Sequence, residues 1–160
     1  MTTTARTHMD VNRRHDLVLL FDVTDGNPNG DPDAGNLPRV DPETMQGIVT
    51  DVSLKRKVRD WVDASRGQDA RFKIYVQRES YLTETRGRVF GERASDPTEV
   101  NPSDAQQWMC QEFFDIRMFG AVMGMKENNA GQVRGPLQLT FARSIDPVIP
   151  LDSTIARVAL

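Results

Sequence analysis

The amino-acid sequence predicts an α+β fold in which two helices cover one face of a mainly antiparallel sheet. Three observations predict it. Short apolar stretches of strand length, Leu17–Phe21, Arg71–Arg78 and Leu137–Phe141, are spread along the chain. Two segments with helix-start residues and helical apolar spacing separate them, one from Thr50 to Gly67 and one from Asn101 to Gly120. Three long Gly-, Pro- and Asp-rich stretches, at about 25–50, 79–101 and 120–135, interrupt the pattern and read as insertions into one domain.

The chain has 160 residues, 38% hydrophobic and 27% charged, enough to bury a single core. Its formal net charge of -3 supplies no global field for nonspecific attraction of nucleic acid, so any such site must be local. The single cysteine, Cys110, excludes an internal disulfide and fits a reducing compartment. Met1–Asn12 lacks the apolar core of a secretion signal, and no stretch has the roughly 18 apolar residues of a membrane helix, so a cytoplasmic protein is expected. Ser153–Leu160 ends on a strand-like run, which leads us to expect a chain that stops inside a larger domain.

Leu17–Phe21 is continuously apolar and is expected to be a central strand covered on both faces. The loop from Asp25 to about Thr50 follows. Asp25, Asn27, Asn29 and Gly30 match the start of a calcium loop, but Asn36 stands where a bidentate Glu is required and Pro28 and Pro32 interrupt. Asx and proline turns, with Gly26, Gly30 and Gly35 at positive φ, are the better reading, and neither a metal nor a cofactor is expected.

Thr50 or Asp51 caps the next helix and Gly67 stops it. At 100° per residue, Leu54, Val58, Trp61 and Val62 form an apolar arc, with Lys55, Arg56 and Arg59 on its shoulder. In Arg71–Arg78, period-two alternation sends Phe72, Ile74 and Val76 to the core. Lys73, Tyr75 and Gln77 then face outward, a cation-and-aromatic pattern that an RNA-stacking platform would use. Glu79–Val100 reads as an irregular excursion with one hairpin, its Arg86, Arg88 and Arg93 available to nucleic acid or a partner subunit.

Asn101 as cap and Pro102 at the first helical position start the second helix, which carries Ala105, Trp108, Met109, Phe113 and Ile116 into the core and ends before Gly120. Ala121–Gly135 is a flexible excursion with Met123 and Met125. Leu137, Leu139 and Phe141 alternate as a third strand before Asp146–Pro147 turns the chain.

This order of elements is that of a ferredoxin-like or RNA-recognition-motif (RRM-like) architecture. No Ser-His-Asp set, Walker loop, GxGxxG or HExxH motif is present, so a binding protein is expected rather than an enzyme.

Four runs carry a specific resemblance: D-G-N-P-N-G-D-P-D-A-G-N-L-P-R-V-D from Asp25, V-T-D-V-S-L-K-R-K-V-R ending at Arg59, D-I-R-M-F-G-A-V-M from Asp115 and G-P-L-Q-L-T-F-A-R-S-I-D-P-V from Gly135. With them the chain resembles, over nearly its whole length, the backbone subunit of the type I-C CRISPR surveillance complex (Cascade), the CRISPR-associated seventh family. The resemblance implies an RRM-like palm with inserted thumb and finger elements. Copies of it would coat a guide RNA (crRNA) and present it to target DNA beside other subunits of the complex. It also implies full-length members longer than 160 residues.

Such a subunit must track phosphates with cations and wedge apolar side chains between bases. Lys55, Arg56 and Arg59 are the first candidates for RNA contact. Asn36, Arg39, Arg117, Arg134 and Gln138 are the second, and Met123 or Met125 the wedge. Asp25, Asp31, Asp33, Asp41 and Glu43 would repel phosphates within about 8–10 Å and are expected to cap turns or face a neighbouring copy. Two rival readings stay open: a metal-dependent ribonuclease using loop aspartates, and a purely structural oligomer subunit.

Overall fold

A computed structural model describes residues 10–96, 100–124 and 128–151. The fold is α+β, with every strand pair antiparallel, as the sequence predicts. The loop region holds β1 (Gly30–Asp31), β2 (Leu37–Pro38) and β3 (Gln46–Val49) around a 3-10 turn at Pro32–Ala34. Four helices follow: α1 (Asp51–Arg66), α2 (Leu82–Arg93), α3 (Pro102–Glu112) and α4 (Phe114–Phe119). Then come β4 (Gly120–Val122), β5 (Gln132–Arg134) and β6 (Ala142–Pro147). The strands form three two-stranded ladders, β1–β2, β3–β6 and β4–β5.

α1 forms where the cap and the apolar spacing place it. The Thr50 hydroxyl accepts the Ser53 amide at 3.3 Å, and the Gly67 amide closes the last turn on the Asp63 carbonyl. Of the expected apolar arc Val62 is buried, whereas Trp61 lies 68% exposed. α3 likewise starts on Asn101, whose side chain accepts the Ser103 amide. The helix expected to reach Gly120 breaks at Phe113, which takes an extended conformation. The Phe114 amide leaves the helical ladder to donate to the Lys73 carbonyl at 2.9 Å, and α4 restarts from there.

α2 replaces the expected irregular excursion. Its two glycines, each costing about 1 kcal/mol in a helix interior, hide it from periodicity. Tertiary burial of Arg86, Val89 and Phe90 along one face holds it. Val89 and Phe90 join Tyr75, Ala105, Met109, Phe113, Ile116, Met123 and Ala130 in the main core. The flexible excursion expected over Ala121–Gly135 is instead the β4–β5 hairpin, with Gly120 opposite Arg134 in register. Gly120 takes φ +82°, and a Cβ there would meet the Val133 carbonyl oxygen at 2.5 Å, so the hairpin closes on α4 only through glycine.

Four further expectations give way to packing. Leu17–Phe21 pairs with no described strand, and Leu17, Val18, Leu19 and Leu20 are 72–90% exposed. An apolar run states what a strand needs, and a covering partner is supplied only by tertiary structure. Arg71–Arg78 forms a single parallel bridge, Lys73 to Phe113, with no continuous strand. Tyr75, expected outward, is 3% exposed and tilted against Phe113 at 5.4 Å, which removes it from any stacking platform. The third strand lies at Ala142–Pro147 rather than at Leu137–Phe141, and Asp146–Pro147 belongs to that strand instead of turning the chain. It pairs with β3, whose four residues sit in the stretch read as loop.

Within the loop Gly35 has positive φ as expected. Gly26 and Gly30 do not, and Asp25 and Asn36 take the left-handed region instead. Met125 and Ser153–Leu160 lie outside the described residues.

Candidate nucleic-acid interface

The acidic loop is folded onto the first turns of α1. Asn29 accepts both the amide and the hydroxyl of Thr50 through its side-chain oxygen, at 2.9 and 2.8 Å. The Pro28 carbonyl accepts Ser53 Oγ at 3.2 Å and Lys57 Nζ at 2.9 Å. Asn27 Nδ2 donates to the Asn36 carbonyl, and Asp31 accepts the Asp33 amide and pairs with Arg39 at 3.4 Å. Asp41 accepts the Glu43 amide and pairs with Arg143 at 2.8 Å; this hydrogen bond, above all, holds its carboxyl below the usual range. These side chains are spent on turns and local pairs. Among the described residues no group of three or more His, Cys, Asp or Glu is placed to hold a metal ion.

Seven of the eight predicted RNA-contact residues fall into two groups, with Arg56 apart. Asn36, exposed, and Arg39, half-buried, belong to the loop. Lys55, Arg59, Arg117, Arg134 and Gln138 gather around α4. The Phe119 ring has Lys55 Nζ at 5.9 Å and the Arg59 guanidinium at 5.1 Å from its centroid. Arg134 is in register with Gly120, the next residue, and the Leu137 amide, beside Gln138, donates to the Met118 carbonyl. Arg56 stands one position from Lys55 on α1.

Burial ranks these residues. Arg59 donates to Asp115 at 2.8 Å, with side chains 11% and 1% exposed. Asp115 also accepts the Tyr75 amide at 2.8 Å and the Val76 amide at 3.1 Å. One buried carboxylate therefore fastens α1, the 72–76 segment and α4 together, and Arg59 is committed to it. Lys55 pairs with Asp51 at 2.9 Å and Arg56 with Asp60 at 3.5 Å. Partly exposed pairs of this kind are worth only about 0–1 kcal/mol, so a phosphate can displace the carboxylate.

Arg117 is committed too. It donates to the Cys110 carbonyl at 2.5 Å and the Gln111 carbonyl at 3.1 Å, capping the end of α3, and also to the Arg71 carbonyl. Arg134 is exposed and pairs with no described residue, and Gln138 donates to the Gly135 carbonyl. Met123, the expected wedge, is fully buried in the core.

The excursion's cations are also spoken for. Arg86, 2% exposed, donates to the Met123 carbonyl. Arg88 at 2.5 Å, Lys73 at 3.2 Å and Arg93 at 3.9 Å converge on buried Glu112. Burial pushes that carboxyl up, but hydrogen bonds from Arg88 and Lys73 with their charges outweigh it and leave it below its ordinary value.

Sequence reasoning missed Asp115 and Phe119 as organising groups. A signal for Asp115 was present: a lone carboxylate flanked by Phe113, Phe114 and Ile116 must find donors if that segment is buried. Nothing local marked Phe119.

The fold is thus of the α+β class, with the α1 cations Lys55 and Arg59 set against the Phe119 ring. Within that class, residues 13–160 match the sequence profile of the family described as CRISPR-associated protein Cas7, and the chain belongs to that family. A curated relative described as CRISPR-associated protein Cas7, from Haloferax volcanii (strain ATCC 29605 / DSM 3757), is 30% identical over 154 residues. The alignment covers 84% of this chain and 44% of the relative, so the chain spans less than half of that relative's length. No described helix is long and apolar enough to cross a membrane.

Proposed function

We propose that this chain is a guide-RNA-binding backbone subunit of a CRISPR interference complex of type I-C, acting in the prokaryotic cytoplasm. Several copies line the crRNA and present it to target DNA beside other subunits. The observation that carries the reading is the family match over residues 13–160, together with the four sequence runs that resemble the type I-C backbone subunit. The geometry supports Lys55 and Arg56 as phosphate contacts, with Arg134 as a further exposed cation, and assigns Arg59 and Arg117 to holding the surface in shape. The role is that of a scaffold. Of the loop carboxylates on which a ribonuclease reading rests, Asp31 caps the 3-10 turn and pairs with Arg39.

Salt titration of single-stranded RNA binding tests the reading. Removing one phosphate contact with Lys55→Ala lowers the slope of log affinity against log salt by about 0.7, whereas an interface cation leaves that slope unchanged. Incubation with labelled complementary RNA and magnesium or manganese tests the absence of catalysis. Cleavage abolished by Asp31→Ala or Asp33→Ala would overturn the scaffold assignment.

A further inference from the structure

A second feature lies away from the Lys55–Arg56 shoulder. Arg71, Phe72, Phe114, Arg117 and Met118 line a cavity of about 360 Å³, mostly apolar and large enough for a nucleobase. The Phe72 and Phe114 rings are stacked, with centroids 5.8 Å apart and planes 18° from parallel. The Arg66 guanidinium lies 3.8 Å from the Phe72 ring centroid, so Phe72 takes part in a cation–ring contact as well as in the ring stack. The Lys73–Phe113 bridge and the Phe114 amide bond to the Lys73 carbonyl fix the two rings by backbone, not by mobile side chains.

The charge at this cavity is one-sided. Arg71 is exposed, and its side chain makes no hydrogen bond or ion pair with any described residue. Arg117 is pinned on backbone carbonyls, and burial, followed by the positive charge of Arg71, pushes its pKa down. No carboxylate lines the cavity. Beside the stack Arg66 is paired with Asp69 at 2.8 Å and Asp115 acts on Arg117, which leaves Arg71 as the lining cation whose charge no described carboxylate pairs. An apolar stack beside such a cation is complementary to a planar aromatic group that carries an anion. In a protein that meets nucleic acid, a nucleotide is the ligand with both parts.

We propose that this cavity is a nucleotide subsite, in which one unpaired base lies against the Phe72–Phe114 stack and its phosphate meets Arg71. The subsite deepens the RNA-binding reading and rests on it only for the source of the nucleotide. Arg117 is here a positioning residue, holding the Arg71 backbone against the end of α3.

Photocrosslinking of this chain with three probes tests it: a single-stranded RNA carrying 5-iodouridine, a DNA of the same sequence carrying 5-iodo-deoxyuridine, and free 5-iodouridine monophosphate. Digestion and mass spectrometry then locate the adduct, and filter binding measures RNA affinity in parallel. The expected adduct lies on the peptide carrying Phe114 or on Phe72. Arg71→Gln, at an exposed position outside the core, lowers its yield about tenfold, the scale of one lost base or phosphate contact. Phe114→Ala abolishes it. Labelling by RNA or by DNA says which strand supplies the base. Adducts confined to other peptides, with RNA affinity intact, overturn the subsite and leave the RNA-binding reading standing. An adduct from the free nucleotide with no measurable RNA binding supports the subsite and overturns that reading. No pocket adduct from any probe, or one untouched by Arg71→Gln, overturns the proposal.

Discussion

Replacing Asp115 with alanine should loosen the protein more than any exposed substitution. Asp115 is 1% exposed and holds three donors, Arg59 Nε and the amides of Tyr75 and Val76. Its removal leaves the Arg59 guanidinium unpaired at 11% exposure. Breaking a buried pair from one side costs about 3–5 kcal/mol. Each amide stripped of its acceptor adds about 1–3 kcal/mol where water does not replace it. Because the three donors share one site, these costs overlap, and about 4 kcal/mol is expected for the whole.

That is a large part of the roughly 5–15 kcal/mol that holds a domain together. At about 2–4 °C per kcal/mol for a chain of this size, it lowers the melting temperature by on the order of 10 °C. Urea denaturation followed by tryptophan fluorescence reads it directly, since Trp108 packs edge-on against Phe90 at 6.1 Å. Adding Arg59→Met removes the stranded charge, so the double variant should be more stable than the sum of the singles by about 0.5–3 kcal/mol. A shift below about 1 kcal/mol for Asp115→Ala, or strict additivity in the cycle, would refute the fastening role, since surface substitutions stay within about 0.5 kcal/mol.

Three further outcomes are expected. Glu112 has a folded-state pKa below its ordinary 4.5, so its ion-pair stabilisation is present above that value and is lost as pH falls through the folded value. An acid titration of stability should therefore show a steep loss below about pH 4.5 that Glu112→Gln flattens. Gly120→Ala drives a Cβ against the Val133 carbonyl at a φ that L-residues rarely adopt. It should cost more than the roughly 1–3 kcal/mol of backbone strain alone, read as a lower denaturation midpoint. Thr50→Ala removes the α1 cap and the hydroxyl bond to Asn29, leaving only the backbone amide to hold it, a loss of about 1–2 kcal/mol in which faster amide exchange appears in the loop and the first turn of α1 together.

Where the sequence could be read, a local rule was strong enough to act alone. Thr50 and Asn101 are caps whose side chains reach their own helix, and α1 and α3 start on them. Where it misled, the deciding contact was distant in sequence. Tyr75 alternates outward on paper, but Asp115, forty positions away, holds its amide and turns it into the core. α2 carries two glycines and no side-chain cap, and it exists because Val89 and Phe90 find a core to enter. The basic shoulder of α1 was legible in composition. That Arg59 belongs to the fold while Lys55 and Arg56 remain available depended on burial, which composition does not carry.

The exposed Leu17–Phe21 run has a consequence for the protein's behaviour in solution. Five consecutive apolar residues, two of them β-branched or aromatic (Val18 and Phe21) and none charged, lie outside any described strand with their backbone groups unpaired among the described residues. Such a segment is a template for intermolecular β-pairing, and flanking charge is the usual guard against it. Arg13, Arg14 and Asp16 stand on one side and Asp22 on the other, so the run is bracketed by gatekeepers that oppose stacking of identical chains. Solubility of this chain should accordingly fall as salt screens those charges, in the direction opposite to that expected of a protein precipitated by its own net charge.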